Sequence, residues 1–118
     1  MKLLDTSILI DNLRKGSFEE GIISIITLIE VVRGVSSRKR EKVKQLLEKT
    51  YEVLNIDNNV IMKYCELYQK LKEEGKLIPD ADLLIAATAM VNNLVLVTKD
   101  KDFERLKEYG LQLELRTI

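Results

Sequence analysis

Short apolar runs alternate along this chain with amphipathic stretches of helical spacing. Lys2-Leu3-Leu4 predicts a strand that ends at Asp5, and Ile8 to Leu13 predicts a short helix capped by Thr6 or Ser7. Ile22-Ile23-Ser24-Ile25 is a second β-branched run, followed by a helix from Leu28 that Gly34 is placed to stop. Arg38 to Lys49 reads as a charged helix with Val43, Leu46 and Leu47 as its apolar stripe, and Val53 to Ile56 as a strand. Val60, Tyr64, Leu67, Tyr68 and Leu71 mark the next helix, which Gly75 closes. Pro79-Asp80 opens a helix that is apolar nearly all round, through Leu83, Leu84, Ile85, Ala86, Ala87, Ala89, Met90 and Val91, and such a helix is buried. Leu94 to Val97 is a strand buried on both faces, Lys101 to Tyr109 a short helix, and Leu111 to Leu115 alternates like an edge strand.

Alternation of strand and helix predicts an α/β domain with a mostly parallel sheet. The chain has 118 residues, with one proline, five glycines and no linker or repeat, so residues 1–118 read as one domain. In such sheets ligands bind beyond the carboxyl ends of the strands, which draws attention to acids placed there.

Composition narrows the chemistry. Nineteen basic residues balance nineteen acidic ones, so whole-molecule charge gives no nucleic-acid footprint. The chain has no histidine, which excludes Ser-His-Asp and Cys-His catalysis and histidine metal ligands. Its single cysteine, Cys65, allows neither an internal disulfide nor a Cys-based zinc site, and it reads as a buried structural thiol. Asp5 comes too early for a signal peptide, and no uncharged apolar run approaches the roughly 20 residues needed to span a bilayer. A cytoplasmic protein without a membrane segment is expected. Any enzyme built on this sequence must work with carboxylates, hydroxyls, Lys, Arg or Tyr.

Each acid near a strand or helix end has a structural reading. Asp5 can serve as a turn or cap residue after the first strand. Thr27-Leu28-Ile29-Glu30 has the form of a capping box. Asp80 makes a natural cap, and Asp82 lies in the first turn of the buried helix, where the helix dipole favours negative charge. Of Asp100 and Asp102, one can cap the helix through Phe103. Taken together, Asp5, Glu30, Asp82 and Asp100 should lie on one edge of the sheet. Like charges about 4 Å apart repel by roughly 4 kcal/mol at an effective dielectric of 20. Convergent carboxylates therefore need raised pKa values or a cation, and an all-oxygen set favours Mg²⁺ or Mn²⁺ over zinc.

The segments around these acids resemble the PIN-domain family and the VapC-type toxins within it. The matching stretches are Leu3-Leu4-Asp5-Thr6-Ser7, Thr27 to Gly34, Asp82 to Ala89 and Val97 to Phe103, in the family's order and over essentially the whole chain. The resemblance implies a three-layer α/β/α sandwich and an acidic pocket holding Mg²⁺ or Mn²⁺. It implies cleavage of single-stranded RNA, leaving a 5′-phosphate and a 3′-hydroxyl by analogy with metal nucleases. Carried over by position, Asp5, Glu30, Asp82 and Asp100 are the catalytic acids. Of these, Asp5, Asp82 and Asp100 would bind metal, with Asp102 as the alternative fourth acid. Thr6 and Thr98 would be supporting hydroxyls. The resemblance also implies an antitoxin partner and a homodimer. Where the family often has Gly before the last buried strand, this chain has Asn92-Asn93, and Asn tolerates the left-handed conformation.

RNA must still approach an acidic pocket. The basic candidates are Arg14, Lys15 and the cluster Arg38-Lys39-Arg40 with Lys42, which reads first as a solvated helix face and second as an RNA contact. Two rival readings remain at this level. A receiver-like phosphoacceptor domain would need an acceptor Asp after the third strand; Asp57 stands there, although Asp57-Asn58 also reads as a helix cap. A PIN-like domain used only to bind RNA or protein is the other.

Overall fold

The computed structural model describes residues 1–117. Five strands form one sheet: β1 (Lys2–Leu4), β2 (Ile22–Ser24), β3 (Glu52–Leu54), β4 (Val95–Thr98) and β5 (Leu113–Leu115). Their order is β3-β2-β1-β4-β5, and every neighbouring pair is parallel. The helices are α1 (Thr6–Lys15), α2 (Ile25–Gly34), α3 (Arg40–Thr50), α4 (Asn58–Glu73) and α5 (Asp80–Val91), with a 3-10 turn at Ser37–Lys39 and a 3-10 helix at Lys101–Tyr109.

Successive strand residues point to opposite faces of the sheet, and the core divides accordingly. Leu3, Ile22 and Leu96 pack with Val60, Leu67 and Leu71 of α4, Leu83 and Ile85 of α5, and Phe103 and Leu106 of the 3-10 helix. Leu4, Ile23 and Val97 pack on the other face with Ile8 and Leu9 of α1, Leu28 and Val31 of α2, and Leu47 of α3. The result is a three-layer α/β/α sandwich. Helix α5 buries Ala86, Ala87 and Ala89 completely, as its all-round apolar sequence requires.

Several local expectations are corrected. Helix α1 begins at Thr6, so Asp5 rather than Thr6 or Ser7 occupies the N-cap position, without a side-chain capping bond. Helix α2 begins at Ile25 rather than Leu28, because Ser24 Oγ accepts from Thr27 N at 3.1 Å. That cap outweighs the β preference of Ile25-Ile26 and dissolves the predicted Thr27–Glu30 box. Gly34 is the last residue of α2, and Val35 is its C-cap. Asp80 is the first residue of α5 instead of its cap, which is Pro79. The segment after Asp100 is a 3-10 helix, and β5 is limited to Leu113–Leu115. Cys65 is exposed, not buried. Asn93 does adopt the left-handed conformation, at φ 55.

Strand order also removes a rival. A receiver-like fold has order 2-1-3-4-5, which sets the third strand beside the first. Here β3 is an edge strand separated from β1 by β2. Asp57 at its end caps α4, with Val60 N donating to its Oδ1 at 2.9 Å.

Candidate functional site

The parallel sheet delivers β1 and β4 side by side, with Leu4 paired to Val97. Their next polar residues therefore emerge together at the carboxyl edge. Asp5 N donates to Val97 O at 2.9 Å, and the Asp5 side chain is only 4% exposed. Its Oδ2 accepts from Thr98 Oγ1 at 2.6 Å and from Ser7 Oγ at 3.1 Å. Burial pushes the Asp5 carboxyl above the usual carboxylate range; the bonds from Thr98, from the Thr6 backbone and from Ser7 pull it back, and the charge of Glu30 adds to the rise. Thr98 is fully buried and also accepts from Asp100 N at 3.1 Å, so one hydroxyl links Asp5 to the loop that carries Asp100.

Glu30 approaches from α2. Its Oε1 accepts from Thr6 Oγ1 at 2.7 Å, and Thr6 Oγ1 lies 3.0 Å from Thr27 Oγ1. Moving the start of α2 to Ile25 sets Glu30 in the helix's second turn, free to face the sheet edge. Arg33 stands 3.9 Å from its other oxygen, one turn on.

Asp82 enters from the first turn of α5. Its carboxyl is pushed up to about 6, first by burial and then by the charges of Asp5, Asp100, Glu30 and Asp102. Asp82 thus lies within electrostatic reach of Asp5, Glu30 and Asp100, and Asp5 within reach of Glu30. Asp100 acts on Asp82 more strongly than Asp102 does. Asp100 Oδ1 accepts from Asp102 N at 2.9 Å, whereas Asp102 turns outward to Arg105 at 3.5 Å with its side chain 52% exposed. Asp80 is set apart and takes a hydrogen bond of 2.7 Å from Tyr64 Oη.

Among the described residues, no group of three or more acids is gathered tightly enough to hold a metal ion by side chains alone. Asp5 Oδ2 accepts from Thr98 and Ser7, which hold its carboxylate in place and leave Oδ1 without a side-chain donor among the described residues. The donor chemistry still fits a hard divalent cation. All donors are oxygens, the neighbouring acids raise the Asp82 carboxyl, and Mg²⁺ commonly keeps several waters and takes only one or two carboxylates.

The basic candidates separate. Arg14 lines a depression of about 280 Å³ together with Glu30, beside the acids. Lys15 lines another, of about 140 Å³, with Lys99 and Arg116. Arg38 and Lys39 lie in the 3-10 turn before α3, and Arg40 ties that turn to the end of α2 by donating to Val35 O and Arg33 O. Arg40 also edges an apolar groove of about 380 Å³ between α2 and α3, lined by Ile25, Leu28, Ile29 and Val32 and rimmed by Arg33 and Lys44.

Sequence reasoning missed three parts of this arrangement. Ser7 is a second hydroxyl on Asp5; its position two residues on, at the start of a helix, was the available signal. Thr27 serves the Thr6–Glu30 network instead of capping a helix. Lys99 pairs with Asp11 of α1, a contact between residues 88 apart that no local pattern announces.

The PIN-domain family model matches residues 2–109. Ribonuclease VapC1 of Methanocaldococcus jannaschii is 46% identical over 115 residues, covering 94% of this chain and 85% of the relative. VapBC-1 from nontypeable Haemophilus influenzae superposes with a TM-score of 0.81 at 26% identity, covering 97% of this chain and 96% of that one. A toxin–antitoxin complex from Klebsiella pneumoniae superposes with a TM-score of 0.77 at 26% identity over 100% of both chains. With its order of acids, its parallel sheet and these likenesses, the chain belongs to the PIN-domain family, and within it to the VapC ribonucleases.

Proposed function

We propose that this protein is an endoribonuclease dependent on Mg²⁺ or Mn²⁺, and the toxin of a toxin–antitoxin pair. The observation that carries the reading is the convergence of Asp5, Glu30, Asp82 and Asp100 at the carboxyl edge of the sheet, which leaves Asp82 holding its proton up to about pH 6. The 46% identity to a ribonuclease and the likeness to a toxin–antitoxin complex support the substrate class and the partner.

Asp82 and Asp100, with Asp5 behind them, would hold the cation. When bound, it supplies Lewis acidity, polarising the phosphodiester and lowering the pKa of an attacking water. The chain's own groups do the positioning. Thr98 and Ser7 fix Asp5, and Thr6 fixes Glu30 at hydrogen-bonding distance, leaving its second oxygen able to accept a proton from water. Thr98 also fixes the Asp100 loop. No step requires an imidazole, consistent with a chain that has none.

An antitoxin segment fits the apolar groove between α2 and α3, whose Arg33, Arg40 and Lys44 rim favours acidic residues on the partner. A homodimer belongs to the same reading, and α4 exposes Ile61 and Met62 as apolar surface for it. No described helix is long and apolar enough to cross a membrane, and a cytoplasmic setting accompanies the RNA substrate.

The test is cleavage of a labelled single-stranded RNA pool in Mg²⁺ or Mn²⁺, with EDTA and Asp82→Asn as controls. The expected result is cleavage that needs metal and disappears in the variant. Cleavage that persists in EDTA, or in Asp82→Asn, would overturn the carboxylate–metal reading.

A further inference from the structure

We infer that a cleft at the β4–β5 end of the sheet is a subsite for a backbone phosphate of the RNA strand, immediately beside the acid cluster. The inference rests on the ribonuclease reading. Two depressions, of about 140 and 280 Å³, share Lys99, Arg116 and Thr117 in their walls and so adjoin, and are taken together as one cleft. Lys15 stands at one end and Lys101 at the other.

The cleft is tied to the acids by short hydrogen-bonded paths. Arg116 N donates to Thr98 O at 2.8 Å, and Lys99 N donates to Ser7 Oγ at 3.4 Å. Thr98 and Ser7 are the hydroxyls that hold Asp5. The cleft's walls are therefore bonded to the residues that hold Asp5, at the same carboxyl edge of the sheet.

Its cations have two jobs. Arg116 is clamped by Glu19, at 2.7 and 2.5 Å, and by Glu114 at 2.8 Å, and Lys99 is paired with Asp11. These pairs stiffen the walls. Lys15 and Lys101 line the cleft without an ion pair among the described residues, Lys15 facing Asp11 only at longer range, so their charge is available to a ligand. A polyanion approaching a cluster of acids needs such local cations, because the neutral chain as a whole offers no attraction. The lining has no aromatic ring on which a base could stack, so the cleft reads backbone phosphate and not base identity.

The test measures binding of labelled single-stranded RNA by fluorescence anisotropy, across a salt series, with Asp82→Asn as the uncleaving parent. Adding Lys15→Gln and Lys101→Gln should weaken binding about tenfold near 0.15 M salt and flatten the slope of log affinity against log salt by about 0.7 to 1.4, since each lost single-strand phosphate contact removes about 0.7. In the cleaving protein the same pair should raise KM more than it lowers kcat. Lys49→Gln at the far end of α3 should leave the slope unchanged. Equal affinity and equal slope in parent and double variant, with cleavage intact in the unaltered chain, would overturn the subsite and spare the ribonuclease reading. An unaltered chain that neither binds nor cuts RNA in Mg²⁺ or Mn²⁺ would overturn both.

Discussion

A carboxylate that is 4% exposed, as Asp5 is, needs donors. Thr98 supplies the shorter of its two side-chain hydroxyl bonds, at 2.6 Å, and is itself fully buried. Thr98→Val keeps the shape and removes the donor. Leaving a buried acceptor short of a partner costs about 1–3 kcal/mol, and losing the group that orients a metal ligand typically costs 10–100-fold in metal affinity. Urea unfolding and Mn²⁺ titration calorimetry should show both losses. Thr98→Ser should recover most of each. Unchanged Mn²⁺ affinity in Thr98→Val would mean that Asp5 does not serve the cation. Ser7→Ala should give a smaller effect in the same direction, because its bond to Asp5 is longer, at 3.1 Å.

At the scale of elements, close packing fixes how the strands enter the site. Gly21 precedes β2 and lies against Leu4, so that a Cβ there would come 2.8 Å from Leu4 Cγ. Leu4 is fully buried between the helical layer and the sheet and immediately precedes Asp5. Gly21→Ala should therefore destabilise the fold by about 1–3 kcal/mol, the usual range for overpacking, and should disturb Asp5 through the shifted β1. A midpoint in urea equal to that of the unaltered chain would show that Leu4 has room to move. The apolar rhythm of the sequence made these elements legible. The strand pattern at Leu3-Leu4 and Leu96-Val97, the all-apolar α5 and the helical spacing from Val60 to Leu71 all translate directly into the observed layers. What it hid was decided by single hydrogen bonds. Ile25 reads as the end of a strand until Ser24 caps Thr27 N, and Glu30 looks like a capping residue until α2 starts early and turns it toward Thr6. Cys65 was misplaced for a related reason, since an amphipathic pattern identifies a helix more surely than it locates each residue around it.

At the scale of the molecule, the acids set how stability depends on pH. Asp82, pushed up to about 6, and Asp5, raised in the same direction, hold protons in the folded state that they release in the unfolded one. Between about pH 4 and pH 6 the folded state thus binds more protons, and stability falls as pH rises through that window. Asp11, Glu19, Glu66 and Glu114 are shifted downward by their cationic partners, so their stabilisation is present above the ordinary carboxylate range and is lost below it. The downshifted set adds stability only up to the ordinary carboxylate range and the raised pair removes it above that range, so the metal-free protein should be most stable at about pH 4 to 4.5. For Asp82, which is only half-buried, solvent screening reduces the effect at pH 7.5 to about 1 kcal/mol, or a few degrees in Tm. Melts in EDTA from pH 4.5 to 7.5 should show Tm falling as pH rises, with Asp82→Asn flattening the fall and melting higher at pH 7.5. Mn²⁺ should reverse it, because a ligand that binds only the folded state stabilises by RT ln(1 + [L]/Kd) and must compete with protons for the same carboxylates. The gain from Mn²⁺ should be large at pH 7.5 and small at pH 5. A Tm that rises steadily across this range in EDTA would mean that the acids do not crowd one another in solution. A Mn²⁺ effect equal at both pH values would place the bound cation away from Asp82. The arrangement that makes the metal-free protein less stable at neutral pH is the one that gives a divalent cation its attraction there, so a weakened apo fold and a strong metal response should appear together or not at all.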